Sequence, residues 1–365
     1  MQKLNNVSLL RVVAMICIFL CHVALMAPVM DSPYWYFPLH FGVQIFMFVS
    51  GYLYGRKNVK SYKDHIKQRF TVLLVPYYIF IFVLFTAYAI YNISLITLPT
   101  FIQGIFCVNI LGHEGAININ HFWYLFYALV SYVFIPWLIA LRNHTQGVAD
   151  LSKTKVFLIY ALIVFLVLLE LFVALFTLGQ VAFTCLIVGF FFGAKRDKKE
   201  SEQEKNDFRV LSWKRDKLKI CLYALAFIVF SVIFYFTVSD RLYLSTIPVL
   251  DNLVTKYSTA IVGVTFSVLF LTAFKFMNSK KLIEPFPFLD GISYYFYITH
   301  QVFVVFNDVA YTSLIFITPY LWLNIIIAFA AALISAIILK LVSQPIINLI
   351  KNKLLNPKKI TSEEK

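Results

Sequence analysis

His22 follows Arg11 by eleven positions inside the first apolar run of the chain, LLRVVAMICIFLCHVALM. In an α-helix that separation is about three turns and a rise of roughly 16 Å, so both side chains leave one face, the arginine near a membrane surface and the imidazole well inside. Ionisable groups at such depth are costly and face a bundle interior or a wet cavity, which makes them candidates for function. Arg11 alone is equally accounted for as a positive-inside flank, and His22 alone as a hydrogen-bonded interior histidine. The pair on one face is what points to a site. A neutral imidazole takes up a proton near physiological pH, and a carboxylate or second histidine fixes its tautomer; such a set is the minimum equipment for activating a hydroxyl. His300 and Glu170, in later apolar runs, supply those types and join His22 as catalytic candidates. His40 and His121 open two further runs, and each of these four also has an ordinary structural role open to it.

A second set of residues suits phosphate. Arg56, Lys57, Lys60, Lys63, Lys67 and Arg69 fall between the second and third apolar runs, close in depth to Arg11. Arginine presents a planar fork that matches phosphate oxygens and lysine a point charge, so Arg11, Arg56, Lys67 and Arg69 can hold a phosphorylated donor, although the cluster is equally a solvated topology signal. Other chemistries lack their motifs: there is no P-loop, no dinucleotide fingerprint, no H-E-x-x-H and no G-x-S-x-G elbow. The five cysteines, Cys17, Cys21, Cys107, Cys185 and Cys221, form no C-x-x-C pair, so neither a disulfide framework nor a metal site is expected.

Composition sets the frame that must position these groups. The chain has 365 residues, of which 61% are hydrophobic and only 14% charged, and a mean hydropathy of +0.79; the expectation is an all-α, polytopic integral membrane protein. Apolar runs near the roughly 20 residues of a helical span predict about ten transmembrane helices, at 9–30, 37–55, 71–92, 121–141, 156–176, 180–194, 218–238, 257–277, 289–311 and 320–350, the sixth being short. The first is expected to be retained rather than cleaved. With both termini cytoplasmic, 30 of the 32 basic residues fall on the inner side and only Arg241 and Lys256 outside, as the positive-inside rule requires. The net charge of +14 is therefore mostly a topology signal that meets anionic membrane lipid. A nucleic-acid partner is not expected. One membrane domain over 1–351 carries a charged cytoplasmic loop at 195–219, solvated and part amphipathic, and a polar cytoplasmic tail follows at 352–365. The outer segment 93–120 lacks Lys and Arg yet is apolar, which predicts a short interfacial or re-entrant helix; it can roof a cavity or simply pack. Ser50-Gly51 is a small-residue step where helices approach closely.

In order and spacing, Arg11-(ten residues)-His22, IFMFVSGYLYG, KQRFTVLLVPYY with Arg69 and Pro76, HFWYL and SYYFYITHQVF with His300 resemble the membrane acyltransferase family 3 across residues 1 to about 350. The resemblance implies transfer of an acyl group, usually acetyl from acetyl-CoA, to a hydroxyl of a carbohydrate or other envelope molecule. It implies an essential catalytic role for His22 and donor-side roles for Arg11 and Arg69, with acyl-CoA as co-substrate and no bound cofactor. Ser50, His121, Trp123, Tyr124 and Tyr297 are the expected acceptor or cavity residues. The fourth-span segment HFWYLFYALV lacks the glutamate of the W-S-L-x-x-E form and is closer to the H-L-W-Y-L subgroup that includes enterobacterial common-antigen O-acetyltransferase. The expected location is a bacterial inner or plasma membrane, and the acceptor a polysaccharide or lipid-linked glycan. The rival is a transporter or flippase for a lipid-linked sugar, for which intramembrane His and Glu suit proton coupling; a non-catalytic export accessory protein is a third. Oligomeric state is not legible in the sequence.

Overall fold

The computed structural model describes residues 4–26, 39–59, 61–107, 119–176, 180–204, 213–239, 247–275, 286–305 and 313–355. The middle of the predicted charged loop (205–212), part of the outer segment (108–118), the end of the predicted ninth span and the tail beyond 355 lie outside them, as does Arg241. The described residues are helical, without strand. In chain order the helices are α1 (Asn5–Met26), α2 (Gly42–Gly55), α3 (Tyr62–Asn92), α4 (Leu98–Phe106), α5 (Trp123–Thr145), α6 (Lys153–Phe176), α7 (Phe183–Glu204), α8 (Trp213–Val238), α9 (Pro248–Ala273), α10 (Phe286–Thr299), α11 (Gln301–Val304) and α12 (Leu321–Leu355).

Each of the ten predicted apolar runs carries a helix, and α4 is the short one expected in the outer segment. Seven of the helices (α1, α3, α5, α6, α8, α9 and α12) are long and apolar enough to cross a membrane. The other three runs are shorter: α2 and α10 have 14 residues each, and the apolar part of α7 is Phe183–Lys195. At ~1.5 Å per residue these cover roughly 20 Å, less than a bilayer's hydrocarbon thickness of about 30 Å. The charged loop also differs from expectation, because α7 continues to Glu204 and α8 begins at Trp213. Lys, Glu, Gln and Arg are good helix formers, and a run of them extends a helix that packing has already nucleated.

The chain divides into two compact units, one of residues 1–58 and 134–291, the other of 59–133 and 292–365. In the first unit α2 is surrounded by α1, α7 and α9, with α8 against α9. The core joins Val7, Leu10 and Ala14 of α1 to Ile45, Phe48 and Tyr52 of α2 and Val262, Val268 and Leu271 of α9. The α2–α7 contact is a double glycine seam. A Cβ at Gly51 or Gly55 would overlap the carbonyl oxygens of Leu186 or Phe190, and one at Gly189 or Gly193 those of Phe48 or Tyr52. Two G-x-x-x-G faces thus lie backbone to backbone, which is the close approach that small residues permit between membrane helices. The Ser50-Gly51 step is part of it.

In the second unit α3 packs along α12, and α11 also lies on α12. The nine-residue α4 is held by α3. Tyr77 donates to the carbonyl of Gly104 at 2.7 Å and Tyr78 to that of Ile105 at 2.9 Å. These bonds satisfy carbonyls that a short helix leaves open at its C-terminus. Thr97 caps its start by accepting from the Thr100 amide at 3.4 Å.

Candidate active site

In the first unit α1 carries both Arg11 and His22 without interruption, so the eleven-residue spacing does place them on one face. Arg11 Nη1 donates to Asp290 Oδ1 at 3.1 Å, and the Ser8 hydroxyl donates to Asp290 Oδ2 at 2.8 Å. The arginine side chain keeps 34% of its surface exposed and the aspartate only 9%. His22 is half-buried. Gly42, at the start of α2, brings that helix against Ala14 and Ile18 of α1. The turn before it carries His40, whose Nδ1 lies 3.7 Å from Cys21 Sγ and whose ring stacks on Phe234. His40 and His22 are within electrostatic reach of each other. One turn into α2, the carbonyl oxygen of the buried Gln44 has no hydrogen-bond partner among the described residues. Two imidazoles, a thiol and an amide oxygen are therefore gathered where α1 meets the head of α2.

At the other end of α2 the structure shows a residue that charge counting had placed among the topology signals. Arg142, near the end of α5, is buried and donates to the carbonyls of Gly55 at 2.7 Å and Lys57 at 3.4 Å, and also to the side chain of Asn58. A cation at a helix C-terminus complements the helix dipole while satisfying its last carbonyls. The turn it pins carries Arg56, half-buried over the Tyr52 ring with 5.6 Å to the centroid. Ser50 is half-buried on α2. No local pattern separates Arg142 from an exposed basic residue; its burial comes from a segment more than eighty residues away.

Glu170, on α6, is buried. Its carboxylate accepts from the backbone amides of Ala182, Phe183 and Thr184 and from the Thr184 hydroxyl. These are the open donors of the first turn of α7, where an anion is favoured. Lys256 does the converse at the end of α6, its buried ammonium donating to the Ala174 carbonyl at 2.8 Å. Both charges thus close helix ends that no water reaches, as backbone in an apolar medium requires.

In the second unit His121, Tyr124, Tyr297 and His300 come together. The rings of His121 and His300 meet edge-on with centroids 5.7 Å apart, His121 and Tyr297 are also 5.7 Å apart, and Tyr124 and Tyr297 5.2 Å. The Tyr297 hydroxyl donates to the His121 carbonyl. His300 donates Nδ1–H to the Tyr297 carbonyl at 2.8 Å, and His121 donates Nε2–H to that of Ile298 at 3.3 Å. Because carbonyls only accept, these bonds fix both tautomers of the neutral rings. The His300 ring turns back on its own helix, α10, which ends at Thr299, with α11 following from Gln301. Trp123 is half-buried and packs on Tyr127 at 5.7 Å. Arg69 lies over the Tyr132 ring at 5.6 Å, and Lys67 is half-buried two residues earlier on α3. The predicted residues thus fall into Arg11, His22, Ser50, Arg56 and Glu170 in the first unit and Lys67, Arg69, His121, Trp123, Tyr124, Tyr297 and His300 in the second.

No group of three metal-ligating side chains occurs among the described residues. In comparison with known proteins, the acyltransferase 3 family model, described as an acyltransferase domain, matches residues 4–340 and so spans both units. No curated protein and no solved structure is similar enough to match.

Proposed function

Since the chain belongs to the acyltransferase 3 family, we propose that it transfers an acyl group, acetyl first among them, from cytoplasmic acyl-CoA to a hydroxyl of a cell-envelope or extracellular polysaccharide or its lipid-linked precursor. The observation that carries the site assignment is α1: a partly exposed arginine at one end and a half-buried histidine three turns along the same face. Arg11 and Arg56 are the first unit's candidates for the phosphates of the donor, Lys67 and Arg69 the second unit's, and His22 serves the acyl end. Imidazole nitrogen takes the proton of the acceptor hydroxyl as its oxygen attacks the thioester carbonyl. The C–S bond breaks, and the departing thiolate recovers the proton as CoA thiol. In the second unit His121, Trp123, Tyr124 and Tyr297 offer the aromatic faces and hydroxyls that suit a sugar; Ser50 is a separate acceptor candidate in the first. The ten apolar helices sit in a bacterial plasma membrane with both termini cytoplasmic.

The test is purified protein in lipid nanodiscs with labelled acetyl-CoA and a polysaccharide acceptor. Wild type consumes thioester; His22→Ala binds CoA as wild type does but transfers nothing. His22→Gln fails equally, because an amide hydrogen-bonds but takes up no proton at neutral pH. Label on His22 after donor alone would replace the general-base step with a covalent acyl-imidazole. Normal turnover in His22→Ala would overturn the site.

A further inference from the structure

The feature that the mechanism leaves unused is the carboxylate against Arg11. Asp290 sits in the second turn of α10 and is nine-tenths buried, yet both its oxygens are directed at α1. Ser8 takes Oδ2 and Arg11 takes Oδ1, the two donors lying one turn apart on α1. The arginine uses one terminal nitrogen for this bond. A guanidinium has five N–H donors in a rigid plane, so a single end-on bond leaves its other edge able to grip a phosphate oxygen pair. A third of the side chain stays exposed to receive one.

We propose that Asp290, with Ser8, is the positioning residue of the donor site: it fixes the Arg11 guanidinium so that its remaining edge faces the phosphate of acyl-CoA. The inference rests on Arg11 as a donor contact. An unheld arginine loses rotamer entropy when it binds; one already held by a buried carboxylate has lost most of it beforehand, and the ligand gains the difference. The aspartate's own charge opposes the phosphate, but its carboxylate is neutralised by the same arginine and faces α1.

The experiment measures CoA affinity, and KM against kcat for acetyl-CoA, in full-length protein in nanodiscs. Asp290→Asn weakens CoA binding and raises KM about tenfold with kcat retained, the size expected when a preorganised charged bond becomes a floppy one, and Asp290→Glu recovers part of the loss. In the Arg11→Ala background Asp290→Asn adds nothing, since a residue acting through another is silent once that other is gone. The exchanged pair Arg11→Asp with Asp290→Arg restores thermal stability, because the tie between α1 and α10 returns, yet leaves CoA binding weak. Unchanged or tighter CoA binding in Asp290→Asn, an additive loss in the Arg11→Ala background, or full recovery in the exchanged pair would each overturn the assignment. Wild-type protein that binds no CoA, or Arg11→Ala that binds it normally, would instead overturn the donor reading beneath it.

Discussion

At the residue scale, Glu170 and His22 are both ionisable side chains in apolar helices, and their surroundings set them apart. Glu170 is sealed and its oxygens close the first turn of α7; His22 is half-open on the face that also bears Arg11. Removing Glu170 therefore strikes stability first. Glu170→Ala strands three amides and a hydroxyl, at about 1–3 kcal/mol for a buried unpaired group, and its melting temperature in detergent drops by several degrees or more. Glu170→Gln keeps one carbonyl oxygen for the Ala182 and Phe183 amides and turns an NH2 toward Thr184, so it loses less stability than Glu170→Ala, folds and turns over. A folded Glu170→Gln protein with lost turnover would restore the acid–base role that its chemistry alone suggests. His121, Tyr124, Tyr297 and His300 were legible as candidates one by one, but their meeting was not, because it depends on helices more than 170 residues apart in sequence. Arg142 and Asp290 were not, because their meaning depends on partners 84 to 282 residues away.

At the element scale, apolar periodicity located every long helix, because a run of about 20 apolar residues has no alternative in lipid. It gave the apolar part of α7 its short length, while α2 and α10 have 14 residues each where the runs had 19 and 23. The short helices α2 and α7 survive because they cover one another along the glycine seam and because Arg142 and Glu170 close the ends of the pair. The seam predicts a sharp intolerance. Gly51→Ala and Gly189→Ala each add a single methyl group where a carbonyl of the opposite helix stands, and overpacking of that kind costs about 1–3 kcal/mol or more. Both variants should melt lower than wild type and accumulate poorly in membranes. Gly147, on a surface turn with nothing near it but with φ +70°, is the control: Gly147→Asn, which tolerates that conformation, leaves both measures in place. Wild-type stability in the two seam variants would show that α2 and α7 stand farther apart.

At the scale of the chain, helix packing gives relative directions and the basic residues decide between the two sides. Within the first unit α1 runs antiparallel to α2, since Ala14 and Ile18 face Gly42 while Cys21 faces His40. α2 and α7 run parallel, since Gly51 faces Leu186 and Gly55 faces Phe190. The end of α6 meets the start of α9 through Lys256 and Ala174. Those relative directions are the ones that the first, second, fifth, sixth and eighth of ten consecutive spans take, whichever side the chain begins on. A cytoplasmic start puts 30 of the 32 basic residues on the inner side, the arrangement that the positive-inside rule favours. The expected outcome is that reporter fusions at Lys205 and after Lys365 both read cytoplasmic and that one inserted beside Arg241 reads external. Since α2 and the apolar part of α7 are too short to cross by length alone, the discriminating pair is Lys57 against His40, flanking the two ends of α2: cysteine-scanning reagent confined to the outside should label His40→Cys and spare Lys57→Cys. Outside labelling at Lys57, or an external signal at either Lys205 or Lys365, would mean that α2 turns back within the membrane or that the span count changes parity.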